Sequence, residues 1–373
     1  MSTEVRIAVL IRPELAFGRE VLRGIARYAR QRPAWRLHAM LPYDQALPAR
    51  WIADGGIGHY PPDDWHGLLS PKACRVTVGY SGQPSPARVR SDDEGIGRLG
   101  ADHLLRLGFR HFVFAGELDS DRGRGFSEAI RSAEGDLLEM PEPLARSARP
   151  QHTPALDPIA AWLSDAPKPL AVMAMHDVQA RLMSQASRIA GLRVPDDVAI
   201  VGVDNDELLC DMSDPPLSSV EQGKQQIGYE AAALLDRMLD GAPAEQILLP
   251  PKRVVVRQSS DVLAIDDPDV ESAVRYIRAH SAGSLTVDQI ADAIPAARRT
   301  LERRFSKTMG HTILDEIIRV RVNNARDLLA TTDRQLPHVA ESCGFNSLKH
   351  FHEVFRRNVG TTPAAFRRLH RTN

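Results

Sequence analysis

CGFNSLKHFHEVFRRNVGTTPAAFRR, residues 343–368, decides the architecture of the C-terminal part of the chain. Phe351 and Phe355 are four residues apart, so both fall on one helical face and turn inward together. Ser347 stands where an N-cap belongs, its hydroxyl able to accept one of the orphan backbone N–H groups of a helix start. Gly344 supplies the left-handed backbone that a tight turn before that helix demands. Lys349, His350 and Glu353 then point away from the core, and Arg356, Arg357, Arg367 and Arg368 gather at helix ends. A short helix, a tight turn and a second helix with a charged outer face form the helix-turn-helix pattern.

The same pattern occurs once more upstream. LTVDQIADAI and RRTLERRFSKTMG align with the later unit, Ile290 with Val339, Ala291 with Ala340, Leu301 with Phe351, Phe305 with Phe355 and Gly310 with Gly360. ILDEIIRVRVNNARDLLATTD lies between the two as a long helix. The first unit departs from the second at its turn, which reads IPAARR from residue 294. Pro295 cannot take a positive φ, and Ala297 caps poorly, a loss of about 1 kcal/mol. A remodelled first turn is expected, with the helix start held by tertiary packing or by a DNA phosphate.

Gly344, Phe345, Ser347, Phe351, Phe355, Arg356, Arg357, Gly360, Thr362, Pro363, Phe366 and Arg367 together resemble the second helix-turn-helix of AraC-type transcription regulators. That resemblance implies double-stranded DNA as a partner. The residues facing it are then Arg298, Arg299, Glu302 and Arg303 in the first unit and Ser347, Lys349, His350, Glu353, Arg356 and Arg357 in the second. Arginine is the commonest reader of guanine and a glutamate can accept from cytosine N4, while arginines at helix ends suit phosphates. The charge agrees. The chain carries −1 overall, yet from Pro295 onward 15 Lys and Arg face 7 Asp and Glu, against 32 and 41 before it. An acidic body with a basic end points to a polyanion for the C-terminal part alone.

The first 262 residues alternate strand and helix signals. VRIAVLI (5–11), RVTVGYS (75–81), HFVFAG (111–116), PLAVMAMHD (169–177) and VAIVGVDN (198–205) read as strands, with helical spacing between them. The fold class expected is α/β with parallel sheets, followed by an all-α double helix-turn-helix domain. Such sheets bind ligands at the carboxyl ends of their strands, which directs attention to the loops after Ile11, Gly116, Ala174 and Val203. An acidic, proline-containing change of texture suggests a linker at 263–270, between a domain at 1–262 and one at 271–373.

RVRSDDEGIGRLGADHLLRLGFRHFVFAG, DRGRGF, LAVMAMHDVQA, VPDDVAIVGVDN and PPLSSVEQGKQQIGYEAAALLDRMLDG are similar, in that order, to the effector domains of LacI/GalR regulators. The resemblance implies the two-lobed periplasmic-binding-protein fold with a monosaccharide in its cleft. Carried onto this chain, the sugar would meet Arg122, His176 beside Asp177, and Asp204 with Asn205, with the first loop around Arg12, Glu14 and Phe17 closing over it. Planar Arg, Asp and Asn side chains bind the paired donors and acceptors of sugar hydroxyls. The whole arrangement resembles the xylose operon regulator family, which implies D-xylose or a related sugar, a homodimer and a cytoplasmic location, and leaves contact with RNA polymerase open. His176 stands where the family often has Asn, so the sugar's identity stays open. Two other readings stay open as well: a regulator whose front domain is a ligand-free dimerisation module, and a carbohydrate-binding or carbohydrate-modifying protein with a helical appendage.

Other signals fail. GIGRLG (95–100) follows polar residues instead of a strand end and marks no dinucleotide site. DSDRG (119–123) lacks the glycine and glutamate of a calcium loop. His350 and His352 diverge on their helix, which is poor metal geometry. Cys74, Cys210 and Cys343 form no metal or disulfide pattern. No apolar run approaches the roughly 18 residues of a membrane helix. No cofactor, metal or enzymatic activity is expected.

Overall fold

The computed structural model describes every residue except 1–3, 15, 40–50, 60–68, 80–84, 146–155, 263, 264, 266, 284 and 371–373. Three residues of the expected linker, and the end of the expected strand 75–81, therefore lie outside the described residues. The chain forms two compact units, Met1–Asp93 with Gln222–Pro251, and Glu94–Glu221 with Lys252–Asn373.

The first unit holds β1 (Val5–Leu10), α1 (Ala16–Ala29), β2 (Trp35–Ala39), β3 (Ala53–Gly58), β4 (Leu69–Val78) and β5 (Arg88–Ser91). Later in the chain α8 (Lys224–Leu239) and β11 (Gln246–Leu249) rejoin it. Its sheet runs β11-β5-β4-β3-β1-β2, all pairs parallel. β3, ADGGIG, was hidden from pattern reading because its glycines carry no apolar side chain. Its register, Ile7 beside Gly55 and Val9 beside Ile57, puts it at the centre of the sheet.

The second unit opens with α2 (Asp93–Arg106), β6 (His111–Ala115), α3 (Asp121–Ser132), β7 (Asp136–Leu138), α4 (Glu142–Ala145) and α5 (Leu156–Asp165). There follow β8 (Leu170–Ala174), α6 (Asp177–Ile189), β9 (Val198–Val203), α7 (Glu207–Asp211), β10 (Ser218–Glu221) and β12 (Arg253–Val255). The sheet order is β12-β10-β9-β8-β6-β7, parallel except where β12 meets β10. β8 and β9 are buried along their whole length, as their unbroken apolar sequences require of parallel strands covered on both faces. GIGRLG lies in α2, and a Cβ on Gly97 would come within 2.0 Å of the Arg122 carbonyl oxygen. That glycine lets α2 press against the first turn of α3 and so fixes where Arg122 sits.

The same unit ends in seven helices: α9 (Pro268–His280), α10 (Val287–Ala293), α11 (Arg298–Met309), α12 (Ile313–Thr331), α13 (Leu336–Ser342), α14 (Leu348–Val359) and α15 (Pro363–His370). They make two cores. Val274, Ile277, Ile290, Leu301 and Phe305 form one, and Val339, Phe345, Phe351, Phe355 and Phe366 the other. α12 belongs to both, giving Ile313 and Ile317 to the first and Val322, Ala325 and Leu329 to the second. The fold class read from the sequence is the one observed.

Candidate ligand site and nucleic-acid interface

Beyond the carboxyl ends of β6, β8 and β9 lie four charged or titratable groups: Arg122, His176, Asp177 and Asp204; His176 feels both Arg122 and Asp204, and Asp177 feels Asp204. An Arg122 guanidinium nitrogen donates to the Met175 carbonyl at the end of β8. His176 caps α6, its Nδ1 accepting from the Gln179 backbone N–H at 3.1 Å. That bond assigns the neutral ring its proton on Nε2, leaving a donor for a ligand. Burial, and more weakly the Arg122 charge, hold His176 below its ordinary value against the pull of Asp204, so the ring is uncharged at neutral pH.

Asp204 and Asn205 both take left-handed backbone, with φ of 109° and 47°. For non-glycine residues this stores strain that the surroundings must hold. The straps are visible: Asp204 N–H donates to Val220 O at 3.1 Å, Asn205 N–H donates to Ser219 Oγ at 2.9 Å, and Arg257 donates to Asn205 Oδ1 at 3.0 Å.

Asp177 has a different place from its neighbours. It is 2% exposed, and its carboxylate accepts from Ser219 Oγ at 2.5 Å and from Asp206 N–H at 2.8 Å. Its oxygens already tie β10 and the α7 loop to α6, so it acts as a positioning residue beneath the cluster. Burial, then the Asp204 charge, push its carboxyl up from 3.8 to about 7. The sign follows. A folded-state value above the unfolded one gives stability that is complete below about pH 4 and lost as pH rises through about 7. The melting temperature of the second unit should therefore fall across that interval, and Asp177→Asn should flatten the slope. An unchanged slope in the variant would contradict this assignment.

In the first unit the expected loop residues Arg12 and Glu14 are exposed and Phe17 is half-buried. Phe17 packs against His59, ring centroids 5.7 Å apart, and His59 Nδ1 lies 2.9 Å from Val78 O. His59 was not singled out from the sequence. Its signal was its position, one residue past the carboxyl end of β3, unreadable while β3 itself was unrecognised. Arg257 and Ser219 were missed for another reason: each reaches the cluster from a strand or turn distant in sequence.

In the helical part, Leu301, Phe305, Phe351 and Phe355 are all fully buried. Both Gly310 and Gly360 end their helices in left-handed conformation. Arg299 and Arg303 are exposed and have no intramolecular partner among the described residues. Lys349, His350, Glu353, Arg356 and Arg357 are exposed along α14, and Ser347 Oγ accepts from His350 N–H at 3.2 Å as the cap. The other two arginines of α11 are engaged internally. Arg298 bridges Asp288 of α10 and Glu302 of its own helix. Arg304 holds Asp267 and Asp269 at the start of α9, at 2.5 and 2.6 Å. Burial raises the Asp267 carboxyl, but the Arg304 bonds and the N–H groups of Val270 and Asp269 outweigh it and leave it below the ordinary range.

The two turns differ as their sequences require. Gly344 has φ +78°, and a Cβ there would lie 2.4 Å from Ser281 O. The first turn contains no positive φ: Ala296 N–H bonds back to Ile294 O at 2.7 Å. That i to i+2 bond is an inverse γ-turn, whose central φ near −75° suits Pro295. Ala297 takes the N-cap position without a side-chain bond, and the Arg298–Asp288 pair staples the helix start to α10. Ala297→Ser should stabilise this unit by about 1 kcal/mol in urea unfolding; no gain would mean the staple already does all a cap can do.

Residues 101–260 match the model of a periplasmic binding protein-like domain and residues 290–369 that of a helix-turn-helix domain. Xylose operon regulatory proteins of Escherichia coli strain K12 and Haemophilus influenzae are each 30% identical, over 97% of this chain and 96% and 98% of their own. The solved structure of a xylose-binding transcription activator, xylR, matches over the full length of both chains at 29% identity with a TM-score of 0.59. A dimeric Lac repressor covers 69% of the chain at 20% identity and TM-score 0.55, a likeness of fold. Among the described residues no helix is long and apolar enough to cross a membrane, and no cluster of His, Cys, Asp or Glu is arranged to hold a metal.

Proposed function

The chain belongs to the family of xylose operon regulatory proteins, and from that premise we propose that it regulates transcription by binding operator DNA in response to D-xylose or a closely related monosaccharide. One observation carries the reading: a strand-end cluster suited to sugar hydroxyls and two helix-turn-helix units with exposed basic faces belong to one compact unit of the chain. Residues 1–262 are then the sensor and 271–373 the DNA-binding part. Arg122, His176, Asp204 and Asn205 present the donors and acceptors, and Asp177 holds their loops. Arg299, Arg303 and the exposed face of α14 meet the bases, and Arg356 and Arg357 the phosphates. Two protomers bring four helix-turn-helix units to the operator, in the cytoplasm where the DNA is, and without catalysis. The sugar acts only through its different affinity for the DNA-competent and incompetent arrangements.

Thermal shift across a panel of pentoses and hexoses tests the sensor. D-xylose at about 100 times its Kd should stabilise the folded chain by about 2.7 kcal/mol. No shift with any sugar would leave a ligand-free dimerisation module. Operator binding measured over a salt series tests the other half. Neutralising 6–10 phosphates should weaken binding by about 10³–10⁵ between roughly 50 and 200 mM salt, and a flat salt dependence would sink the DNA reading.

A further inference from the structure

α14 begins with a leucine that the core beneath it does not use. Leu348 is the first residue of the helix, directly after the Ser347 cap, and stands three residues before the buried Phe351. It is 41% exposed. That core takes Phe351, Val354 and Phe355 from α14, with Ile318, Leu328, Leu336 and Val359 packed at its edges, and Leu348 is not among them. All of residues 346–350 are exposed, and Leu348 alone of them is apolar. Glutamine or glutamate would suit a helix as well, so neither packing nor helix formation accounts for a leucine here. The first unit has no counterpart. Aligning Phe351 with Leu301 sets Leu348 against Arg298, whose guanidinium is taken up by Asp288 and Glu302. The two helices therefore open differently, α11 with an engaged cation and α14 with a bare apolar side chain.

The N-terminal residues of a recognition helix are the ones that meet base edges in the major groove. The edges offered there are hydrogen-bonding groups, apart from the C5 methyl of thymine. A leucine side chain has no hydrogen bond to give, and against any of the polar edges it would strip water without replacing it. We propose that Leu348 is a specificity-determining residue that packs on the C5 methyl of a thymine in the DNA segment met by the second unit. Leu348 has this role only in a chain that binds operator DNA through α14, the function proposed above. The two units then read by different chemistry. Arg299 and Arg303 suit guanine acceptors, whereas the second unit selects a methyl group at the start of its helix.

The test uses uracil, which is thymine without its methyl. A duplex preferred by the full chain is first selected from a random-sequence pool, and each of its thymines is then replaced by uracil, one at a time. At one position in the segment met by the second unit, the parent chain should lose affinity about four-fold, the worth of one buried methyl group. Leu348→Gln keeps the length and helix propensity of the side chain and should bind the thymine and uracil duplexes equally at that position. Leu348→Met, still apolar, should retain the difference. Both variants should melt with the parent, because Leu348 is outside the core. Uracil tolerated at every position overturns the proposal, and so does a loss that persists in Leu348→Gln. A lowered melting temperature in both variants would make Leu348 a structural residue instead. A pool that yields no preferred duplex would sink the operator reading itself, and the role of Leu348 with it.

Discussion

Replacing Phe355 with alanine is expected to destabilise the second helix-turn-helix unit by about 3–5 kcal/mol, the usual loss for a buried phenylalanine. The side chain is fully buried and meets Phe351 at 5.6 Å and Phe366 at 5.5 Å, both edge-on. It therefore links α14 to α15 and, through Phe351, to the turn. A loss of this size exceeds what a unit with so small a core can spare, so α14 should stop presenting Lys349, His350 and Glu353 in one geometry. Operator binding should fall to the non-specific level while the sugar-dependent thermal shift persists. Calorimetry resolving separate transitions, with band shifts on the same sample, checks both halves. Specific binding at parental strength would show that α14 is not a recognition helix.

Asp204→Gly separates function from stability in the opposite direction. Asp204 holds φ at 109°, a conformation glycine adopts freely and aspartate does not. The variant should fold at least as stably as the parent, with a gain of about 1 kcal/mol from relieved strain. It also removes the repulsion that helps raise the Asp177 carboxyl. Yet it deletes a carboxylate that we assign to the sugar, so affinity should drop by about 100-fold, equivalent to about 2.7 kcal/mol. A variant that keeps its sugar response would reduce Asp204 to a turn residue. One that loses both response and stability would show the carboxylate to be a structural group.

What was legible in the sequence was whatever depends on local spacing. Phe351 and Phe355 announce their helix by separation alone, and Gly360 ends it. Pro295 and Ala297 announce that the first turn must differ, though not that a γ-turn replaces the left-handed glycine. What was illegible depends on partners far along the chain. Arg304 reads as one more basic residue on a basic helix, because Asp267 and Asp269 lie 37 and 35 positions away. Nothing near Asp177 in the sequence says that Ser219, 42 positions on, donates to its carboxylate. β3 went unread because a strand at the centre of a sheet can be built of glycines.

α12 has 19 residues, about 28 Å of rigid helix, and it is built into both helix-turn-helix cores. Its length restricts how this regulator and its operators can evolve. An operator can exchange a base that Arg303 or Lys349 is proposed to read and be followed by one codon change. Gaining a base pair between the two contacted segments is another matter: it moves them about 3.4 Å apart and turns them by about 35°. One residue added to α12 moves the second unit about 1.5 Å and turns it by about 100°. The two steps do not match, so no single insertion in the protein follows a single insertion in the DNA. Within such a lineage operators should diversify by substitution at fixed spacing.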